Sequence, residues 1–201
     1  MHARSAPTLP LRRRLLVAAL MLPAVWLLSR LAAGQELPLT PECGDDEPTP
    51  RNPEGPFYTP RSPQRSSLRE PGLDGTPLLL VGYVLSRGCQ PVAGALVELW
   101  HCDAHGQYDN VGFRCRGHQY TDRQGRYRFE TLVPGLYPGR TRHFHLKVQA
   151  PGGPLLTTQL YFPGEPGNAR DFLFREALLM RLADGPQDRV GRFDFVVAAG
   201  G

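Results

Sequence analysis

Two histidines separated by one residue, His143 and His145, have a spacing that suits metal ligands. They stand in an alternating run, and side chains two apart in a β-strand point to the same face of the sheet. Both imidazoles can therefore reach one point in space. Tyr137 lies six residues before the first histidine, in a turn rich in proline and glycine that could fold back toward that point. In isolation such a histidine pair is more often incidental than ligating, so the prediction of a metal site depends on other residues.

Tyrosine oxygens are the candidate partners of this histidine pair. The candidates are Tyr137 and Tyr108, and no Asp or Glu stands next to the histidines. A phenol has an ordinary pKa of about 10, so a tyrosine ligand at neutral pH requires a strongly Lewis-acidic ion that displaces the proton. Phenolates with imidazoles suit Fe(III) better than Zn(II), which prefers His, Cys and carboxylate. We interpret His101 and His105, at a strand end and in a loop, as non-ligands.

Six short segments, in the same order, resemble the intradiol ring-cleavage dioxygenases, the family of protocatechuate 3,4-dioxygenase and catechol 1,2-dioxygenase. They cover roughly residues 50–165, and six in register are far more specific than any one alone. The segments are Glu54-Gly55-Pro56-Phe57-Tyr58, Val97 to Ala104 with Gly106-Gln107-Tyr108, Thr121-Asp122 through Gly125, Pro134-Gly135-Leu136-Tyr137-Pro138, Arg140 with His143-Phe144-His145, and Thr158-Gln159-Leu160-Tyr161-Phe162.

The resemblance implies a ferric iron bound by two tyrosines and two histidines. These ligands are Tyr108, Tyr137, His143 and His145. It also implies that Tyr137 is released when a catecholate binds through both oxygens. Arg140 would stabilise negative charge on the ring as O2 attacks, with Arg142 as the alternative arginine, and Gln159 would lie near the substrate. The residues implied to line the substrate pocket are Gly55, Pro56 and Tyr58.

The activity implied is that of a non-haem Fe(III) dioxygenase acting in the catabolism of aromatic compounds. It would use O2 to cleave a catecholic ring between its two hydroxylated carbons, giving a muconate-type diacid. The alternative is a non-catalytic transthyretin-like or collagen-adhesin B-type sandwich, a binding or spacer module that shares the hairpin pattern of Gly88 to Tyr137. Because such a module requires neither the histidine pair nor the Glu54–Tyr58 segment, we prefer the dioxygenase.

Short strands separated by turns account for most of the chain after residue 76. Gly 22 and Pro 21 make up about a fifth of the 201 residues without a short period, which favours turns over low complexity. Strand patterns recur up to Arg189–Ala198, and Phe172–Leu182 is ambiguous between a strand and a single short helix. We predict an all-β sandwich of seven to eight short strands over residues 77–201, with an extended arm over 35–76 and long active-site loops.

Residues 1–34 have the pattern of an export signal. Arg12-Arg13-Arg14 precedes an apolar run from Leu15 to Leu28, and small residues follow up to Gly34. The run is short for a membrane span, an uncleaved anchor is the alternative, and the adjacent arginines also fit a twin-arginine signal. The expected location is periplasmic or secreted, with no stable membrane association after signal removal.

The basic charge of the chain lies in this segment. It holds five of the 23 Lys and Arg residues and none of the 19 Asp and Glu, so the remainder has 18 basic and 19 acidic side chains. This balance argues against a nucleic-acid partner. The expected partners are a catechol-type small molecule and O2, and the oligomeric state stays open, with a homodimer as one arrangement.

Four cysteines follow the predicted signal, which favours disulfides in an exported protein. We predict Cys102–Cys115 across a short loop and Cys43–Cys89 tying the arm to the body. None of the four stands in a CxxC motif, which argues against a zinc or redox motif.

Overall fold

A computed structural model describes residues 47–185 and 187–198. Within these ranges there are nine strands, one 3₁₀ helix at Glu176–Leu178, and no α-helix. The strands are β1 (Pro77–Ser86), β2 (Leu96–Trp100), β3 (Arg116–Tyr120), β4 (Arg126–Leu132), β5 (His143–Gln149), β6 (Leu156–Tyr161), β7 (Arg181–Asp184), β8 (Arg189–Arg192) and β9 (Phe195–Val197). The predicted all-β sandwich is confirmed, with slightly more strands than expected.

The nine strands of the described ranges form two sheets. The four-stranded sheet has the order β3-β2-β5-β6 and is antiparallel throughout. The five-stranded sheet has the order β4-β1-β8-β7, and β9 also pairs with β1. Both β8 and β9 run parallel to β1, along Leu78–Val81 and Val84–Ser86 respectively. The predicted strand Arg189–Ala198 is therefore two strands, interrupted at Phe193 and Asp194.

The segment that the sequence left ambiguous, Phe172–Leu182, contains both the 3₁₀ helix and the start of β7. The predicted export signal and Cys43 lie outside the described residues, so the signal and the Cys43–Cys89 pairing stay predictions. No helix formed by the described residues has the length and apolar character needed to cross a membrane.

The hydrophobic core fills the space between the two sheets. Alternate residues of the four-stranded sheet point into it and are fully buried, among them Leu99, Phe144, Leu146 and Leu160. They belong to the same apolar cluster as Leu80 and Phe129 from the other sheet. Burial of apolar surface is favourable by roughly 25 cal/mol per Å², so this layer is the main source of the fold's stability.

An arm formed by the described residues up to Thr76 crosses the outer face of the four-stranded sheet. At the β6 edge Asn52 N donates to Thr157 O at 3.0 Å, and at the β3 edge Arg65 N donates to His118 O at 2.9 Å. Because the arm covers this face, β5 is buried on both sides, and only its last residue is partly exposed.

The predicted disulfide between Cys102 and Cys115 is wrong, because both are free, buried thiols. The antiparallel register of β2 and β3 brings Cys115 opposite His101, whose N donates to Cys115 O at 3.2 Å. Cys102 follows His101 beyond the end of β2, and Cys115 precedes β3 with φ +54°, so neither cysteine lies in a strand. The Cys102 Sγ donates instead to Gly135 O at 3.5 Å.

Candidate active site

The outer face of the four-stranded sheet carries several of the predicted site residues. His143 and His145 both point to it from β5, because residues two apart in a strand share a face. The strand register places Gln159 of β6 and Trp100 of β2 opposite His145 on either side. Directly opposed residues also share a face, so one patch collects the two imidazoles, the indole and the amide.

Tyr108 completes a cluster of three donor atoms with the histidines. Its Oη lies 3.1 Å from His145 Nε2 and 3.4 Å from His143 Nε2, and the two Nε2 atoms are 3.1 Å apart. Atoms spaced in this way can all reach one ion at the usual metal–ligand distance of about 2 Å. The structure therefore brings three of the four predicted ligands together.

The protonation of the histidines is the one that metal binding requires. His143 Nδ1 lies 2.7 Å from Thr141 O, which can only accept, so Nδ1 carries the proton and Nε2 a lone pair. Burial lowers the pKa of His143 to about 4. Burial, followed by His143 and Arg140, lowers the pKa of His145 well below its ordinary value. Both are neutral near pH 7, the form in which histidine binds metals.

Packing holds His145 in place. The Trp100 indole is stacked on its ring, with centroids 5.1 Å apart and planes 9° from parallel. On the other side, a Cβ at Gly55 would stand 3.1 Å from His145 Cε1, and Gly55 has φ +76°, a conformation that favours glycine. His145 Nδ1 has no hydrogen-bond partner among the described residues. Gly55, predicted to line the pocket, thus lies against a predicted ligand.

The loop that carries Tyr108 is fastened at both ends. The Asp109 carboxylate accepts bonds from the backbone N–H groups of Val111, Gly112 and Arg114. Before Tyr108, a Cβ at Gly106 would lie 2.3 Å from Leu136 O, so a side chain there would separate this loop from the one that carries Tyr137. These contacts give Tyr108 a defined position relative to the strands.

Arg116 joins the same loop to the arm. It is 1% exposed; its Nε and Nη2 donate to Asp109 O at 3.1 and 2.7 Å, and its Nη1 donates to Phe57 O at 2.6 Å. The Phe57 ring is stacked on Tyr108 with centroids 4.4 Å apart. One buried cation therefore fixes both Tyr108 and the ring that covers it.

The chemistry of this donor set fits Fe(III). Burial raises the pKa of the Tyr108 phenol above its ordinary value, while the charges of Arg140 and Arg116 act in the opposite direction. The phenol therefore keeps its proton unless a strong Lewis acid displaces it. Within residues 47–185 and 187–198, no group of three His, Cys, Asp or Glu residues could hold a metal ion. The tyrosine oxygen beside the two imidazoles is a donor that suits Fe(III).

Tyr137 lies beside the cluster, in the loop between β4 and β5. Its ring is 5.9 Å from Tyr108 and 5.3 Å from Phe57, edge-on to both. Its chain neighbours Leu136 and Pro138 are exposed, and Tyr137 itself is half-buried. Fewer contacts hold Tyr137 than hold Tyr108, so Tyr137 has more freedom to move.

The two candidate arginines have different surroundings. Arg140 Nη2 donates to Gln159 Oε1 at 2.7 Å, and Arg140 Nε donates to Asp171 Oδ2 at 2.8 Å. The charge of Arg140 contributes to the low pKa of both neighbouring histidines. Arg142 pairs instead with Glu165, at 2.8 Å. The geometry therefore favours Arg140 as the arginine of the site.

Gln159 is fully buried and bonded at both ends of its amide. Its Oε1 accepts from Arg140, and its Nε2 donates to Pro53 O in the arm at 2.7 Å. Gln159 therefore orients Arg140 and anchors the arm, and its predicted place near the substrate stays a prediction.

The other two predicted pocket residues, Pro56 and Tyr58, follow Gly55 in the arm, and their role in a substrate pocket stays a prediction. Pro56 is exposed, next to Gly55. Tyr58 Oη donates to Glu98 Oε2 at 3.2 Å, and its ring packs 4.9 Å from Trp100. Burial, then Glu98, raises the pKa of Tyr58 to about 12. The contacts of Tyr58 thus support the arm, with Trp100 between it and His145.

Three residues of the site were missed in the sequence: Phe57, Arg116 and Asp171. Phe57 stands between the predicted Pro56 and Tyr58, so its segment was recognised although its ring was not. Arg116 is 59 residues from Phe57, and Asp171 is 31 from Arg140. No local pattern marks partners so far apart in the chain.

A family model described as dioxygenase matches residues 53–198. Catechol 1,2-dioxygenase 2 of Acinetobacter lwoffii is 30% identical over 186 residues, covering 79% of this chain and 68% of that protein. The protocatechuate 3,4-dioxygenase beta chain of Burkholderia cepacia is 36% identical over 119 residues, covering 50% and 51%. The chain belongs to the intradiol ring-cleavage dioxygenases.

Solved structures of other dioxygenases share the fold. The dioxygenase domain of a dioxygenase–carbohydrate-binding protein fusion from the cellulolytic bacterium Streptomyces sp. SirexAA-E is 52% identical, with a TM-score of 0.74, covering 76% of this chain and 99% of that one. Catechol 1,2-dioxygenase from Pseudomonas arvilla C-1 is 30% identical, with a TM-score of 0.67, covering 76% and 62%. This intradiol dioxygenase chain spans about half the length of several curated relatives, for example 51% and 52% of two catechol 1,2-dioxygenases.

Proposed function

We propose that the protein opens a catechol between its two hydroxylated carbons with O2. The observation that carries this proposal is the convergence of Tyr108, His143 and His145 next to Arg140. In the overall reaction one C–C bond breaks, and both atoms of O2 enter the two carboxyl groups of a muconate-type diacid. The names of the curated relatives support catechols as the substrate class.

The residues that would hold Fe(III) are Tyr108, Tyr137, His143 and His145. When bound, the ion supplies a Lewis acid that favours deprotonation of the two catechol oxygens. The neutral state of both histidines near pH 7 supports this assignment, and the bond of His143 Nδ1 to Thr141 O leaves the Nε2 lone pair of His143 for a metal.

Tyr137 is the ligand that we propose gives way to the substrate. As it leaves, its Oη takes one of the catechol protons, so the site needs no separate base for that step. Its half-buried position between exposed neighbours supports this role, while the fastened Tyr108 loop supports a permanent ligand there.

Arg140 acts on the substrate as a fixed cation. Negative charge builds on the ring and its oxygens while O2 adds, and a positioned guanidinium stabilises it most strongly where water is excluded. The Arg140 side chain is 13% exposed, which supports a partly desolvated position. The arm contributes to the dry environment, with Gly55 against His145 and Phe57 against Tyr108.

The non-catalytic alternative has no observation in its favour. A spacer module of the transthyretin-like type leaves the convergence of three donor atoms and a buried arginine without a role, and membership of the dioxygenase family argues against it.

Oxygen uptake by the iron-loaded protein tests the proposal. With catechol, we expect one O2 consumed per ring and an ultraviolet spectrum of a muconate-type product. The control variant His105→Ala, at an exposed loop histidine, should keep this activity. Absence of uptake across a panel of substituted catechols, with iron bound, would reject the function.

We also propose that the protein acts after export. The basic, apolar and small-residue order of residues 1–34 supports this. Fractionation of cells that express the full chain should place it outside the cytoplasm, shortened to a start near residue 35; a full-length cytoplasmic protein would contradict the proposal.

A further inference from the structure

Asp171 is a buried carboxylate next to Arg140 that no sequence feature marked. Its side chain is 1% exposed, compared with 13% for Arg140. Its Oδ2 accepts from Arg140 Nε and Thr141 N, both at 2.8 Å, and its Oδ1 accepts from Leu173 N at 2.9 Å. The backbone of two separate segments therefore fixes the carboxylate independently of Arg140.

The guanidinium of Arg140 is held at two of its three nitrogens. Asp171 takes Nε, and Gln159 takes Nη2, at 2.8 and 2.7 Å. Because the guanidinium is planar, two anchors on different nitrogens define both its position and its tilt. A single anchor would leave the group free to rotate about that bond.

The second anchor, Gln159, is itself set by the arm through Pro53 O. It carries no charge, so among the described residues Asp171 is the carboxylate that pairs with the buried cation. An unpaired charge at such a buried position is unfavourable. Without its counter-ion, the Arg140 side chain would turn toward solvent.

A second ion pair in the same region provides a contrast. Arg142 and Glu165, with side chains 23% and 22% exposed, are joined by one bond at 2.8 Å. This pair is more exposed to solvent, Arg142 also donates to Pro134 O, and the energetic effect of such exposed pairs is small. The difference in burial and in the number of anchors between the two pairs indicates that Asp171 fixes the position of Arg140.

We propose that Asp171 is a positioning residue that aims Arg140 at the substrate ring. The inference rests on the proposed function, in which Arg140 stabilises negative charge there. Asp171 touches neither substrate nor metal in this account, so its loss should reduce turnover while iron retention and catechol binding change little.

The test is a double-mutant cycle with Asp171→Asn and Arg140→Gln in the iron-loaded full chain. Asp171→Asn should lower kcat by about 10–100-fold, the usual loss when a supporting partner is removed. Iron content and the spectral shift on anaerobic catechol binding should stay near wild type. If Asp171 acts through Arg140, the double variant should be no slower than Arg140→Gln alone, because the two effects are not additive.

Glu165→Gln is the matched control, since it removes a carboxylate from the neighbouring arginine and should keep wild-type turnover. If Asp171→Asn gives no folded protein, Asp171→Glu carries the same cycle, because it retains the charge but displaces the anchor. Wild-type turnover in the Asp171 variant, multiplying effects in the double variant, or loss of activity in step with loss of iron would each overturn the inference. If the wild-type protein cleaves no catechol, the proposed function fails first and the inference falls with it.

Discussion

The two faces of β5 differ in chemistry although both are buried. The inner face is apolar, with Phe144 and Leu146 fully buried between the sheets. The outer face presents His143, His145 and Lys147, each at most 7% exposed, beneath the arm. Burial on the inner face needs only apolar volume, whereas each polar group on the outer face needs a specific partner.

The partners of the outer face come from distant parts of the chain. Lys147 pairs with Glu54 of the arm, Glu98 accepts from Ser62 and Tyr58, and the histidines converge on Tyr108. The inner face therefore packs against the second sheet and stabilises the sandwich. The outer face brings the residues of the site together. Changes on the two faces should affect separate properties, stability on one and metal binding on the other.

The largest effect should follow the removal of a ligand from the outer face. His145→Ala should lose Fe(III) and more than about 100-fold in activity, since loss of a mere supporting partner already costs 10–100-fold. The protein should still fold, because the core is untouched. Iron content and circular dichroism are the measurements, with His105→Ala as the control. Full iron occupancy in His145→Ala would remove this residue from the ligand set.

The neighbouring inner-face residue should show the opposite pattern. Phe144→Ala should lower the free energy of unfolding by about 3–5 kcal/mol through the cavity it leaves, while the folded fraction still binds iron. Urea denaturation and iron content of the folded fraction are the measurements. Phe144→Leu should lose much less stability. Equal loss of iron from Phe144→Ala and His145→Ala would show that the two faces do not affect separate properties.

His101 is a polar exception on the inner side. Its ring packs 4.9 Å from Phe144, and its nitrogens lie 2.6 Å from Cys102 O and Thr131 Oγ1, which supports its interpretation as a non-ligand. Burial lowers the pKa of His101 from 6.5 to about 4.

Between those two pKa values the unfolded chain binds a proton at His101 that the folded chain does not. The free energy of unfolding is therefore unaffected by His101 above pH 6.5. As the pH falls toward 4, protonation of His101 in the unfolded chain lowers this free energy by about 3 kcal/mol at most. Unfolding of the iron-free protein at pH 7 and pH 5 should show a smaller difference for His101→Gln than for wild type. Equal differences would contradict the assignment.

The smallest effect should come from the arm. Ser62 Oγ donates to Glu98 Oε1 at 2.7 Å and is buried, so Ser62→Ala should lose about 1 kcal/mol and loosen the arm locally. In Ser62→Ala, amide hydrogen exchange should become faster than in wild type, and more so in the arm than in β5. Ser66→Ala, at an exposed position, is the control and should exchange as wild type does.

The sequence predicted the features that depend on local spacing. Alternation indicated the strands and put His143 and His145 on one face, and the family resemblance supplied Tyr108 and Tyr137. Features that depend on pairing between distant segments were missed or wrong: Arg116 and Asp171 have no local pattern, and Cys102 and Cys115, just beyond the paired ends of β2 and β3, are free thiols.

The visible absorption spectrum during titration with Fe(III) tests the proposed iron site on the outer face most directly. We predict a red-brown protein that saturates near one iron per chain, because tyrosinates bound to Fe(III) absorb visible light by charge transfer. Tyr108→Phe should lose most of this band and its iron. A wild-type protein that stays colourless after iron is added would contradict the site on the outer face.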